Sequence, residues 1–230
     1  MPNFMSYKLA EACREPGCPI CRLEQQGVER YLDSQFYENV NSPTWRERLR
    51  ASQGFCHEHA WLSVNKRLGD ALGFSIIYHD VVNNLLRSLD KDANPGAPRR
   101  GTSLRDQIER VVAILTPRKR CPVCEHREEI RRNILSALVE ELPATEMRDA
   151  LQASDGLCLP HWKQALGYVN EGSVYEILLT IQRTKLENLK GELAEFIRKN
   201  EYQAIKEGFG SEGDSWLRTI AIIAGSRKES

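Results

Sequence analysis

The chain has 230 residues, enough for one large domain or two modest ones. Its 32 lysines and arginines balance 32 aspartates and glutamates, so the formal net charge is zero and uniform attraction to nucleic acid is not expected. No run reaches the roughly 18 apolar residues of a membrane span, and the opening MPNFMSYKLAEACREPG lacks the basic-then-apolar order of a secretory signal. A cytoplasmic location follows as the expectation. There, seven cysteines, an odd number, suit metal binding or redox chemistry better than a disulfide framework.

The first landmark is CPIC, Cys18–Cys21, with Pro19 suited to the first position of a helix. Leu23, Val28, Tyr31, Leu32 and Phe36 then recur at helical spacing. Ser42-Pro43 reads as an N-cap and first turn, so PTWRERLRAS starts a short helix. Gly54 stands where a helix C-terminus favours a left-handed residue. GFCHEH follows, with Cys56 and His59 in a Cys-x-x-His frame. GDALGFSIIYHDVVNNLLRSLDK is apolar at Leu72, Ile76, Ile77, Val81, Leu85 and Leu89, which predicts a buried helix.

Asp90–Ser103, rich in proline, glycine and charge, reads as a linker. SLRDQIERVVAILT then predicts an amphipathic helix, and the basic run PRKR a solvated surface. CPVC, Cys121–Cys124, opens a helix with Ile130, Ile134, Leu138 and Leu142 every four residues. GLCLPH supplies Gly156, Cys158 and His161. A long helix near heptad rhythm follows, through Leu178, Gln182, Leu186, Leu189, Leu193 and Phe196, suited to packing lengthwise or between subunits. The tail segment WLRTIAIIAG reads as a cover for the core, with a docking helix as the alternative.

The landmarks repeat. CPIC recurs as CPVC at an offset of 103 residues, and LRASQGFCHEH recurs as LQASDGLCLPH at an offset of 102. Leu, Ala, Ser, Gly, Cys and His match in place across the second pair, the signature of an internal duplication. No strand or hairpin signal stands out. The predicted class is all-α: two homologous helical repeats, each with a Cys3His metal site, packed into one bundle-like unit. Residues 1–90 hold the first repeat, 91–103 the linker, 104–206 the second repeat, and 207–230 a tail with a short amphipathic helix.

A Cys-x-x-Cys pair followed by a Cys-x-x-His pair offers three thiolates and one imidazole, a common donor set for tetrahedral zinc. The candidate ligands are Cys18, Cys21, Cys56 and His59, then Cys121, Cys124, Cys158 and His161. The intervening 34 and 33 residues exceed an ordinary zinc finger. A helical hairpin folding back within each repeat is the expected route, in preference to sets exchanged between repeats. Two zinc ions per chain follow, with an iron–sulfur cluster the weaker alternative.

His57, replaced by Leu159 in the second copy, reads as a bystander, as does His126. His79 is expected at the core or its boundary, and Cys13 as a structural thiol. HEH lacks the four-residue spacing of a metalloprotease helix, and GFGSEG lacks the lysine of a phosphate loop. Closed four-ligand sites leave no open position for catalysis, so a non-enzymatic role is favoured.

The stretches CPICRLEQQGVERYLDSQFYENVN, RLRASQGFCHEHAW, GDALGFSIIYHD, CPVC and GLCLPHW resemble a bacterial and archaeal family of unknown function over nearly the full chain. The resemblance implies that the same eight cysteines and histidines are its characteristic positions and brings no activity with it. The expectation is a zinc-binding scaffold or regulator that engages a protein partner or a second copy of itself. A thiol redox protein using the CPxC pairs is the first alternative, and a nucleic-acid-associated regulator the second.

Overall fold

In the computed structural model, which describes residues 4–93, 103–202 and 204–226, every regular element among those residues is helical. After α1 (Phe4–Cys13), Pro19 opens the 20-residue α2 (Pro19–Glu38), where a missing N–H would have had no helical partner. Ser42 caps α3 (Pro43–Ser52) by accepting the Trp45 N–H at 3.4 Å. Cys56 is the N-cap residue of α4 (His57–Asn65), and α5 runs over Ala71–Ala93. Ser103 and Asp106 form a reciprocal capping box at the start of α6 (Leu104–Leu115).

The order then recurs. Pro122 opens the 20-residue α7 (Pro122–Glu141), a short α8 (Thr145–Ala153) follows, and Cys158 precedes α9 (Leu159–Leu166). The 28-residue α10 (Gly172–Lys199), two 3₁₀ turns at Ile205–Glu207 and Ser211–Asp214, and α11 (Ser215–Ala224) complete the chain. Gly54 and Gly156 are left-handed, with φ of 91° and 82°. Neither is the capping residue itself: Gln53, also left-handed, caps α3, and Ser154, in extended backbone, caps α8.

The described residues divide into two compact units rather than the single bundle expected. Those up to Gln26 and those from Glu129 onward form the first unit, and those from Gly27 to Glu128 form the second. The division cuts through α2 and α7, so each unit combines segments from both sequence repeats. The first unit has a largely aliphatic core that includes Leu9, Ile20, Leu138, Leu142, Leu157 and Leu178. The second is richer in rings: Phe36 lies 4.4 Å from Phe74 and 5.7 Å from Phe55, and Trp45 meets Tyr31 edge-on at 6.0 Å between centroids.

Two further expectations need correction. α5 is half-buried, not buried: Ile77 and Val81 are inside, while Leu72 and Leu86 are exposed. His79 is on its exposed side, within hydrogen-bond reach of the Asn83 amide, and not at the core. The linker expected at 91–103 falls largely on residues 94–102, outside those described, and its start is still α5. Among the described residues no helix is long and apolar enough to cross a membrane.

Candidate metal centres

Eight donor side chains converge in two groups of four. Cys18, Cys21, Cys158 and His161 make one, and Cys56, His59, Cys121 and Cys124 make the other; within each, all donor atoms lie within 4.8 Å of one another. The eight residues are those the spacing singles out, but their pairing is exchanged. Each CPxC meets the CxxH of the other repeat, so the expected within-repeat sets are wrong. From Cys21, α2 carries the chain roughly 26 Å away and the ten residues of α3 return roughly 15 Å, so closure within a repeat would need the residues after α3 to run back as extended chain. They turn instead through left-handed Gln53 and Gly54.

The distances suit one ion per group. Two sulfurs bound to a tetrahedral zinc at about 2.3 Å are about 3.8 Å apart, and a sulfur and a nitrogen about 3.6 Å. Cys21 Sγ is 3.8 Å from Cys158 Sγ, and His161 Nδ1 lies 3.6, 3.4 and 3.2 Å from the sulfurs of Cys18, Cys21 and Cys158. In the second group Cys56 and Cys124 sulfurs are 3.6 Å apart. There His59 Nδ1 is 3.2, 3.8 and 3.4 Å from Cys56, Cys121 and Cys124. All six thiols are free of disulfides.

Local structure places each donor. At the first centre the Gly17 N–H, next to Cys18, donates to Asp155 Oδ2 at 2.6 Å and ties the two motif loops together. Buried Gln182 on α10 holds the Leu157 backbone from both sides, accepting its N–H at 3.1 Å and donating to its carbonyl at 2.7 Å. At the second centre the Arg118 and Lys119 N–H groups donate to the Ala51 carbonyl at 2.9 and 3.1 Å. The matching serines shape the approach to each cysteine: Ser52 Oγ donates to the Gly54 carbonyl, and Ser154 Oγ accepts the Gly156 N–H.

Crowding three thiols and an imidazole drives their ionisation apart. At the first centre, hydrogen bonds from Cys158 and Cys18 hold Cys21 far below the ordinary thiol range, while burial, Cys158 and Cys21 push Cys18 up. At the second, a hydrogen bond from Cys121, with His59 in support, pulls Cys56 down to about 3, and Cys121 and Cys124 are raised. Only a cation lets all three sulfurs of a group be thiolates together. The donors therefore fit a thiophilic metal ion, and no position of either tetrahedron is left over.

The surroundings differ between the centres. Glu24, one helical turn after Cys21, places Oε2 3.2 Å from His161 Nε2, and Arg131 grips both its oxygens at 2.7 and 3.0 Å. Burial opposes ionisation of Glu24, but the hydrogen bonds from His161 and Arg131 outweigh it and hold the carboxyl at about 2. For His161, burial works against the charge, yet Cys158, Cys21 and Glu24 together raise it to about 11. At the second centre the residue in the matching place is Arg127, which pairs with Glu58, and the buried His59 Nε2 has no hydrogen-bond partner among the described residues. Glu24 was not singled out from the sequence. The charge reversal between Glu24 and Arg127, one turn past equivalent cysteines, was the available signal.

The remaining histidines and the seventh cysteine are outside both groups. His57 is exposed near Trp61, and His126 stacks on Tyr31 with ring centroids 3.8 Å apart. Burial pushes the Cys13 thiol up to about 11.

Comparison with known proteins adds the family. The family of unknown function DUF6062 matches residues 5–230. This chain belongs to that family. A relative described as an uncharacterized 23.9 kDa protein in the xynA 3′ region of Caldicellulosiruptor sp. (strain Rt8B.4) is 25% identical over 224 residues, covering 95% of this chain and 100% of the relative. No solved structure matches.

Proposed function

We propose that this protein is a zinc-binding helical scaffold whose two Cys3His centres are structural and whose work is to engage another protein or a second copy of itself. The observation that carries the reading is the closed donor set: four side chains surround each centre at tetrahedral spacing, and none leaves a position for substrate. A mononuclear ion suits these edges better than an iron–sulfur cluster, whose several irons would spread the sulfurs wider than 4.8 Å. The recurring helix order and the matched motifs support descent of the two repeats from one ancestral unit. An interaction role is favoured by apolar side chains left outside, such as Ile108, Val112 and Leu115 on α6 and Trp216, Ile220 and Ile223 on α11.

Metal analysis of protein purified without chelator is the test. The expected content is about two zinc per chain. Stripping the metal should cost much of the cooperative fold, since structural zinc contributes roughly 10–16 kcal/mol on the scale of finger peptides. A metal-free preparation that is fully helical, with the six thiols of the two centres reactive, would overturn the reading. Reversible disulfide formation within Cys18/Cys21 or Cys121/Cys124 in that preparation would support the redox alternative.

A further inference from the structure

We infer that the two centres hold their metal unequally: the centre of Cys18, Cys21, Cys158 and His161 retains it, and the centre of Cys56, His59, Cys121 and Cys124 exchanges it. The inference rests on the metal-binding reading above and goes beyond it by assigning different tasks to the two sites. Three separate features point the same way.

The first is the partner of the ligating histidine. A carboxylate that accepts the outer N–H of an imidazole fixes its tautomer and raises its donor strength, and losing such a partner typically costs about 10- to 100-fold in metal affinity. His161 has Glu24 at 3.2 Å, itself locked by Arg131. His59 Nε2 is buried with no such partner among the described residues, and Arg127 occupies the place that Glu24 takes at the first centre.

The second feature is cover. A methyl group built on Gly225, just past α11, would lie 3.8 Å from Cys21 Sγ and 3.9 Å from Cys158 Sγ. The tail therefore lays bare backbone against these sulfurs, one of which, Cys21, is the half-buried donor of its centre, as Cys56 is of the other.

The third is access. A cleft of about 370 Å³ opens beside the second centre, lined by Cys56 and Cys121 together with Phe55, Leu115, Lys119 and Arg120. The half-exposed Cys56 borders it, and Lys119 gives its rim a positive charge that favours entry of a small anionic competitor for the metal, while Arg120 is paired with Glu128.

Zinc-loaded protein treated with a carboxylate chelator, with a thiol-alkylating reagent present and the labelled cysteines mapped by mass spectrometry, tests the order of release. Cys56, Cys121 and Cys124 are expected to be labelled as the first equivalent of zinc leaves, about 10- to 100-fold faster than Cys18, Cys21 and Cys158. Buried Cys13 belongs to neither centre and should stay unlabelled until the protein unfolds. Glu24→Gln, which keeps an acceptor but removes the charge, is expected to bring the two rates within about threefold of each other while Cys13 remains protected. Simultaneous labelling of all six ligand thiols in the unaltered protein, or the reverse order, overturns the inference. An unchanged ratio of the two rates in Glu24→Gln overturns the part assigned to Glu24. Should that variant fail to fold, the order in the unaltered protein decides alone. Protein with no zinc at the outset defeats the metal-binding reading, whereas two zinc lost together defeat only their inequality.

Discussion

His161 and His59 turn the same nitrogen, Nδ1, toward their thiols, so what separates them is the fate of Nε2. The motif CxxH names the ligand and is silent about the group behind it. Side-chain identity alone is equally silent about glycine, whose role depends on its backbone and neighbours. Gly69 has φ of 98°, and a Cβ there would lie 2.5 Å from Cγ of the buried Phe36. Gly191, inside α10, has nothing within 4 Å of the same position. Gly69→Ala should destabilise the protein by about 2–5 kcal/mol, from left-handed strain together with overpacking. Gly191→Ala should stabilise it by about 0.5–1 kcal/mol through helix propensity. Urea midpoints for the two variants check both signs; a neutral Gly69→Ala would overturn the assigned strain, since movement of Phe36 would relieve the overpacking alone.

At the scale of the helix, much was legible from the chain. Pro19, Pro122 and the Ser42-Pro43 step mark true helix starts, and Cys56 and Cys158 sit at the starts of α4 and α9 because cap chemistry is local. The ligand pairing was not legible from spacing, since exchanged and unexchanged sets use the same eight residues in the same stoichiometry. The left-handed turn at Gln53 and Gly54, which keeps the residues after α3 from running back as extended chain, belongs to the fold and not to the spacing. α5 misled for another reason: its apolar residues surround the helix, and periodicity cannot tell which of them meet a neighbour. Double substitutions separate the two pairings. Cys18→Ser with Cys158→Ser should remove one zinc and spare the other, because both residues serve one centre. Cys18→Ser with Cys56→Ser should cost both. Within-repeat pairing requires the opposite result, so zinc stoichiometry of the two variants settles the matter.

Across the whole chain the centres are nested, the pair 18/21 and 158/161 enclosing 56/59 and 121/124. Donors of the inner centre are separated by up to 68 residues between motifs, and those of the outer by up to 143. Closing the longer loop costs only slightly more entropy in a flexible chain, so both centres can form, but neither can form from one repeat. That makes the two halves interdependent. Separate fragments ending at Ala93 and beginning at Ser103 would each retain one CPxC and one CxxH, on helices that hold them apart. Each fragment alone should be poorly helical and should give up its zinc readily to a chelator. Mixing the two in equal amounts should restore helicity by circular dichroism and two chelator-resistant zinc per pair, because binding free energy that needs both chains becomes association free energy. A single fragment that folds alone around one tightly held zinc would return the ligands to their own repeat and undo the exchanged pairing.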